Sequence, residues 1–141
     1  MSAILSTQNL VKKYGYKIVS NNISLTINKG DIYGFVGKNG AGKTTFMRQV
    51  LGLAFPDSGE ITLFGGEPLN TARKKIGSLI EFPSIYKNCT AYENMKRMAI
   101  LTGSSDKSVR KILDFVGLGN TGNKKAGQFS LGMRQRLGIA M

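Results

Sequence analysis

Residues 37–44 read Gly37-Lys38-Asn39-Gly40-Ala41-Gly42-Lys43-Thr44, which fits the spacing G-x-x-x-x-G-K-[ST]. The run before it, Ile32-Tyr33-Gly34-Phe35-Val36, is apolar, and Thr45-Phe46-Met47-Arg48-Gln49-Val50-Leu51 after it reads as a helix. A strand, a glycine-rich turn and a helix in that order are the context a phosphate-binding loop requires. Three glycines let the backbone curl until successive N–H groups point into one cavity, and the helix opening at Lys43 aims its positive dipole end at the same spot. The spacing therefore predicts a nucleoside triphosphate held by the loop backbone from Gly37 through Lys38, Asn39, Gly40, Ala41 and Gly42. Lys43 is expected to reach the β- and γ-phosphates, Thr44 to offer its hydroxyl to Mg²⁺, and Thr45 to support the α-phosphate side.

Composition bounds the rest. At 141 residues the chain has the length of one domain, able to bury roughly 68% of its unfolded surface. No apolar run approaches the roughly 20 residues that span a bilayer, and the N-terminus lacks the apolar core of a signal peptide. One cysteine, Cys89, excludes an internal disulfide framework and fits a reducing compartment; the absence of histidine argues against a zinc site. The net charge of +12 admits an anionic partner. Its lysines and arginines are scattered, with short clusters at Lys12-Lys13, Arg73-Lys74-Lys75 and Lys124-Lys125, and no basic stripe with interleaved aromatics for stacking on bases. Nucleic acid is therefore the less favoured partner.

Along the chain, strands are expected at 4–10, 23–27, 32–36, 60–64 and 76–80, the last stopped by Pro83. From residue 88 the character turns helical. Thr90-Ala91-Tyr92-Glu93 is a capping box opening a helix to about residue 101, with Gly103 at its exit. Ser105 caps a second helix carrying Val109, Ile112, Leu113 and Val116 at i, i+3, i+4 and i+7, closed by Gly117. Ser130 caps a last one. The division expected is a β-rich part with the phosphate loop over about 1–87 and a helical part over about 88–141, an α/β architecture.

The second informative stretch is Phe129-Ser130-Leu131-Gly132-Met133-Arg134-Gln135-Arg136, a serine-capped helix start with an arginine pair nearby, and hence a second candidate anion site. With the phosphate loop it resembles the ATP-binding subunits of ABC transporters. In that family a motif L-S-G-G-Q-x-Q-R follows the loop, here with Ser130 lying 87 positions after Lys43. Ser130, Gly132, Gln135 and Arg136 match; Phe129, Leu131 and Met133 depart. The resemblance covers the whole chain and implies a P-loop NTPase fold of ABC type: N-terminal antiparallel strands, a partial RecA-like core and a helical subdomain, truncated before the Walker B strand. It also implies that Tyr14 stacks on adenine and Val19 packs on the ribose. Glu81 stands where the family places a glutamine, within reach of Mg²⁺ or the attacking water. Glutamate there, then a proline, an aromatic and a capped Thr-Ala-Tyr-Glu-Asn helix, is similar to the bacitracin- and lantibiotic-export branch.

What the resemblance implies is ATP and Mg²⁺ as ligands, with Lys43 and Glu81 as the catalytic candidates and Thr44 and Glu81 at the metal. A transmembrane permease and a second nucleotide-binding subunit are the implied partners, with Ser130 and Gly132 of one copy touching the γ-phosphate held by the other. The place implied is the cytoplasmic face of the membrane. The family also needs an Asp-Glu pair ending an apolar strand and a histidine; here no two of the eight acidic residues are adjacent and histidine is absent. The expectation is a chain that binds ATP without turning it over. The alternative is a soluble ABC-type ATPase acting on nucleic acid or ribosomes, which the positive charge favours; a small-molecule kinase would leave residues 130–136 unexplained.

Overall fold

The computed structural model describes residues 2–141, which fall into two compact units, 2–78 and 79–141. In the first, β1 (Ala3–Tyr14) and β2 (Lys17–Asn28) form a hairpin, and β3 (Ser58–Leu63) joins the other edge of β1, giving an antiparallel sheet of order β2-β1-β3. Both hairpin strands run well past the expected 4–10 and 23–27, because the ladder continues, with register shifts, through Lys12 opposite Ser20 and Lys13 opposite Ile18 to Tyr14 opposite Lys17. Gly15, at φ 57, supplies the left-handed backbone of the two-residue connection. Helix α1 (Lys43–Val50) lays Phe46 and Val50 against Leu10, Leu63 and Ala72, the last from the short helix α2 (Leu69–Ala72).

Two expected strands are missing. Residues 31–38 and 76–80 take no strand partner among the described residues. Ile32 and Val36 are almost wholly exposed, while Phe35 is partly buried and stacks on Phe46 with ring centroids 4.9 Å apart. An apolar run of this kind forms a buried strand only where neighbouring strands supply its hydrogen bonds and cover its faces. The sheet of the first unit runs elsewhere, so the composition is right for a strand and the pairing is absent.

The second unit contains α3 (Ala91–Thr102), α4 (Asp106–Phe115) and α5 (Leu131–Ala140), with single 3₁₀ turns at Gly119–Thr121 and Ala126–Gln128 between the last two. The caps read from sequence are present. Thr90 Oγ1 accepts from Glu93 N at 3.1 Å, and Thr90 N donates to Glu93 Oε2 at 2.6 Å. Gly103, at φ 69, ends α3, and Ser105 Oγ accepts from Ser108 N at 3.2 Å to start α4. Met95, Val109, Leu113, Leu118, Phe129 and Leu137 make the core of this unit. A fully buried Asn94 ties the entering chain to α3: its Oδ1 accepts from Tyr86 N at 2.7 Å, and its Nδ2 donates to Tyr86 O at 3.1 Å and Thr90 O at 2.8 Å. On α5, a Cβ at Gly138 would fall 2.3 Å from Pro83 Cβ, so the segment around Pro83 lies directly on that helix.

Candidate functional site: the phosphate loop and the hairpin end

The loop at 37–44 leads into α1 through Gly42, which stands at the N-cap position in the left-handed region, φ 88. A Cβ at Gly42 would sit 1.9 Å from the carbonyl oxygen of Val19. The glycine is thus required twice, by its backbone angle and by the close approach of β2. This contact brings the hairpin end over the loop. Around it lies a cavity of about 260 Å³ lined by Val19, Asn39, Gly40, Gly42, Lys43, Thr44 and Thr45.

The start of α1 differs from the other three long helices. Thr90, Ser105 and Ser130 each turn a side-chain oxygen onto the first turn of their helix, whereas Gly42 has no side chain to do so. The first intrahelical bond of α1 is Phe46 N to Gly42 O at 2.8 Å. The amides of Lys43, Thr44 and Thr45 therefore begin a helix with no side-chain acceptor over them, which is the condition under which an external anion is favoured there. Lys43 Nζ reaches back across the loop and donates to Gly37 O at 2.5 Å and Lys38 O at 2.8 Å. Its ammonium is thereby held at the mouth, and the loop is folded into a ring around it, with Ala41 N donating to Lys38 O at 3.1 Å. These residues fit a magnesium triphosphate: backbone N–H groups and an ammonium for the phosphates, and the Thr44 hydroxyl as a hard oxygen ligand for the cation.

Tyr14 stands at the end of β1, half exposed, with the Lys12 ammonium 5.3 Å from its ring centroid. Asp57 holds that strand end from the turn before β3. Its Oδ2 accepts from Lys13 N at 2.6 Å and its Oδ1 from Lys12 Nζ at 3.2 Å. The Lys13 backbone N–H foremost, and then the Lys12 ammonium, keep the Asp57 carboxyl below its ordinary range. In the sequence Asp57 carries no signal beyond its place in the turn-forming run Pro56-Asp57-Ser58-Gly59.

Glu81, Ser130 and Gly132 belong to the second unit. Glu81 has φ 64, an uncommon backbone for a non-glycine residue, and is exposed. Ser130 is exposed, and its Oγ accepts from Met133 N at 3.2 Å. A Cβ on Gly132 meets nothing within 4 Å, so no packing inside the chain calls for a glycine at that point. The arginine pair expected to join Ser130 in an anion site is otherwise engaged. Arg134 donates to the Phe129 carbonyl, and Arg136 donates to Val116 O at 2.9 Å, closing the end of α4. Val116 stands at the C-terminal end of α4, where backbone carbonyls without an intrahelical donor can accept from a guanidinium.

A phosphate loop held under the end of an antiparallel hairpin, with a separate helical unit carrying a serine-capped helix, defines a nucleotide-binding domain of the P-loop class. The family model described as ABC transporter matches residues 20–141. The bacitracin transport ATP-binding protein BcrA of Enterococcus faecalis is 49% identical across 99% of this chain and 47% of its own length. The lantibiotic transport ATP-binding protein SrtF of Streptococcus pyogenes is 46% identical across 98% of this chain and 60% of its own. A solved structure of an ATP-binding subunit of an ABC transporter superposes with a TM-score of 0.80 at 25% identity, over 97% of this chain and 60% of that one. The chain belongs to the ABC transporter family. It spans about half the length of the curated relatives it matches.

Proposed function

We propose that the chain is the nucleotide-binding part of an ATP-binding subunit that powers export of a peptide antibiotic or a similar amphipathic molecule, and so confers resistance or self-immunity. The observation that carries the reading is the phosphate loop: Gly42 pressed on the Val19 carbonyl, the amide start of α1 without a side-chain cap, and Lys43 at the mouth. The likeness to bacitracin and lantibiotic transport proteins supports the substrate class.

In this reading Lys43 contacts the β- and γ-phosphates, Thr44 ligates Mg²⁺, and Thr45 supports the α-phosphate. Tyr14 stacks on the adenine and Val19 packs on the ribose. Mg²⁺ neutralises phosphate charge when bound; Glu81 approaches the cation or the attacking water. Ser130 and Gly132 face the γ-phosphate held by a second copy, and a transmembrane permease is the partner that the subunit drives from the cytoplasmic face of the membrane. No helix among the described residues is long and apolar enough to cross a membrane. These 141 residues hold no adjacent acidic pair and no histidine, so in this reading they account for ATP binding and not, by themselves, for its turnover.

Calorimetric titration with Mg·ATP tests the binding. The expected result is saturable binding that Lys43→Ala lowers by about a hundredfold or more, the loss of a charge-assisted contact to phosphate on a helix start. Binding unaffected by that substitution, or steady phosphate release by the purified chain, overturns the corresponding half of the reading.

A further inference from the structure

A polar side chain sits on the apolar face of α1. Gln49 is fully buried, seven residues after Gly42 and three after Phe46, so all three share the helix face that meets the sheet. Its Oε1 accepts from Ser20 Oγ at 3.3 Å, and its Nε2 lies 3.5 Å from the carbonyl oxygen of Val11. Ser20 is itself almost completely buried, and its Oγ lies 3.8 Å from the point where a Cβ on Gly42 would be. The residue before it, Val19, is the one whose carbonyl presses on Gly42. Both strands are irregular at this level: the β1–β2 register shifts on either side of the Lys12–Ser20 pair, and the β1–β3 register shifts between Gln8 and Val11. The ladder by itself therefore fixes the hairpin end loosely. Arg73 anchors the same turn of α1 from the other direction, its Nε donating to Val50 O at 3.0 Å.

We infer that Gln49 is a positioning residue for nucleotide binding, acting with Ser20 to hold the hairpin end that carries Tyr14 and Val19 in register with the phosphate loop. A leucine at 49 fills a similar volume, yet it leaves the Ser20 hydroxyl buried without its acceptor. The simplest relief is for β2 to lift from the seam and expose that hydroxyl to water. The loop gives up its contact with the Val19 carbonyl but keeps its own bonds, from Lys43 Nζ to Gly37 O and Lys38 O and from Ala41 N to Lys38 O. Loss of the pair thus weakens the grip on the base and ribose while sparing the grip on the phosphates.

The inference rests on the nucleotide-binding reading above, and the test separates the two. Binding of Mg·ATP and of magnesium tripolyphosphate is measured calorimetrically for the chain, Gln49→Leu, Ser20→Ala and the double variant, each corrected for its folded fraction from thermal melts. ATP affinity is expected to fall about tenfold in each single variant and little further in the double one, with tripolyphosphate affinity changed less than about twofold. Equal loss of both ligands, or loss of neither, overturns the inference and leaves Gln49 as a stabilising group alone. Should Gln49→Leu fail to fold, Ser20→Ala, which removes one oxygen, decides the matter by the same ratio. A parent chain that binds tripolyphosphate and not ATP also overturns it, while one that binds neither overturns the nucleotide-binding reading itself.

Discussion

Residues 2–78 and 79–141 are held together in different ways. In the helical unit the helix caps and the Asn94 hub join near neighbours in sequence: Thr90 with Glu93, Ser105 with Ser108, Ser130 with Met133, Asn94 with Tyr86. Only a few ties there, such as Ala126 N to Cys89 O and Arg136 to Val116 O, reach further. In the phosphate-loop unit the ties are distant: Lys12 with Asp57, Ser20 with Gln49, Arg73 with Val50, and the Val19 carbonyl with Gly42. The first kind forms as soon as a helix forms. The second exists only when the hairpin, α1 and the turn before β3 are all in place. A site for a large anionic ligand is built here from distant ties, because loop, strand end and helix start must converge from separate parts of the chain.

The sharpest attack on this contrast is Gly42→Ala. The new Cβ meets a backbone carbonyl at 1.9 Å on a φ of 88. We expect a destabilisation of about 3 kcal/mol for the first unit and no measurable ATP binding, read by chemical denaturation and calorimetry. Retained ATP binding at parental affinity would mean that the hairpin end need not touch the loop. Asn94→Leu breaks the contrast from the other side. Asn94 is a buried polar hub amid local ties, and its loss leaves Tyr86 N and the Thr90 carbonyl without that partner. A loss of about 2–3 kcal/mol is expected, with hydrogen exchange accelerating at residues 86–90 in particular.

Smaller effects sharpen it. Thr90→Ala removes one cap acceptor and should cost about 1 kcal/mol, seen as a lower melting temperature with the helical circular dichroism of the folded state nearly unchanged. The smallest expected effect is in pH. The Thr90 backbone N–H and then the Lys125 ammonium hold the Glu93 carboxyl below its ordinary 4.5. For Asp106, the Tyr92 hydroxyl and then the Arg110 guanidinium act in the same direction from 3.8. A lowered acid stabilises the fold above its unfolded pKa and loses that contribution as pH falls through its folded value. The melting temperature should therefore drop below about pH 4.5, and Glu93→Gln should flatten the upper part of that drop. An unchanged acid limb in the variant would assign the loss to other carboxylates.

The helical unit was legible nearly residue by residue, since Thr90, Gly103, Ser105, Gly117 and Ser130 act on their own neighbours. Of the site, the phosphate loop was legible because its chemistry needs glycines and a lysine at set intervals along one strand–loop–helix segment. Residues 32–36 and 76–80 misled because an apolar run carries no record of whether a partner strand lies beside it. Gln49 left one trace, a polar residue at i+7 from Gly42 on a helix face otherwise turned to the core. Asp57 and Arg73 left none, as a turn residue and one member of a basic cluster.

Local order alone established the helices of the second unit, their caps and the glycine-rich loop before α1, because each depends on atoms a few residues apart. Tertiary structure alone decided which apolar runs became strands, which buried polar group ties the hairpin to α1, and where Arg134 and Arg136 point. Those outcomes depend on the burial and pairing of groups that meet only in the folded chain.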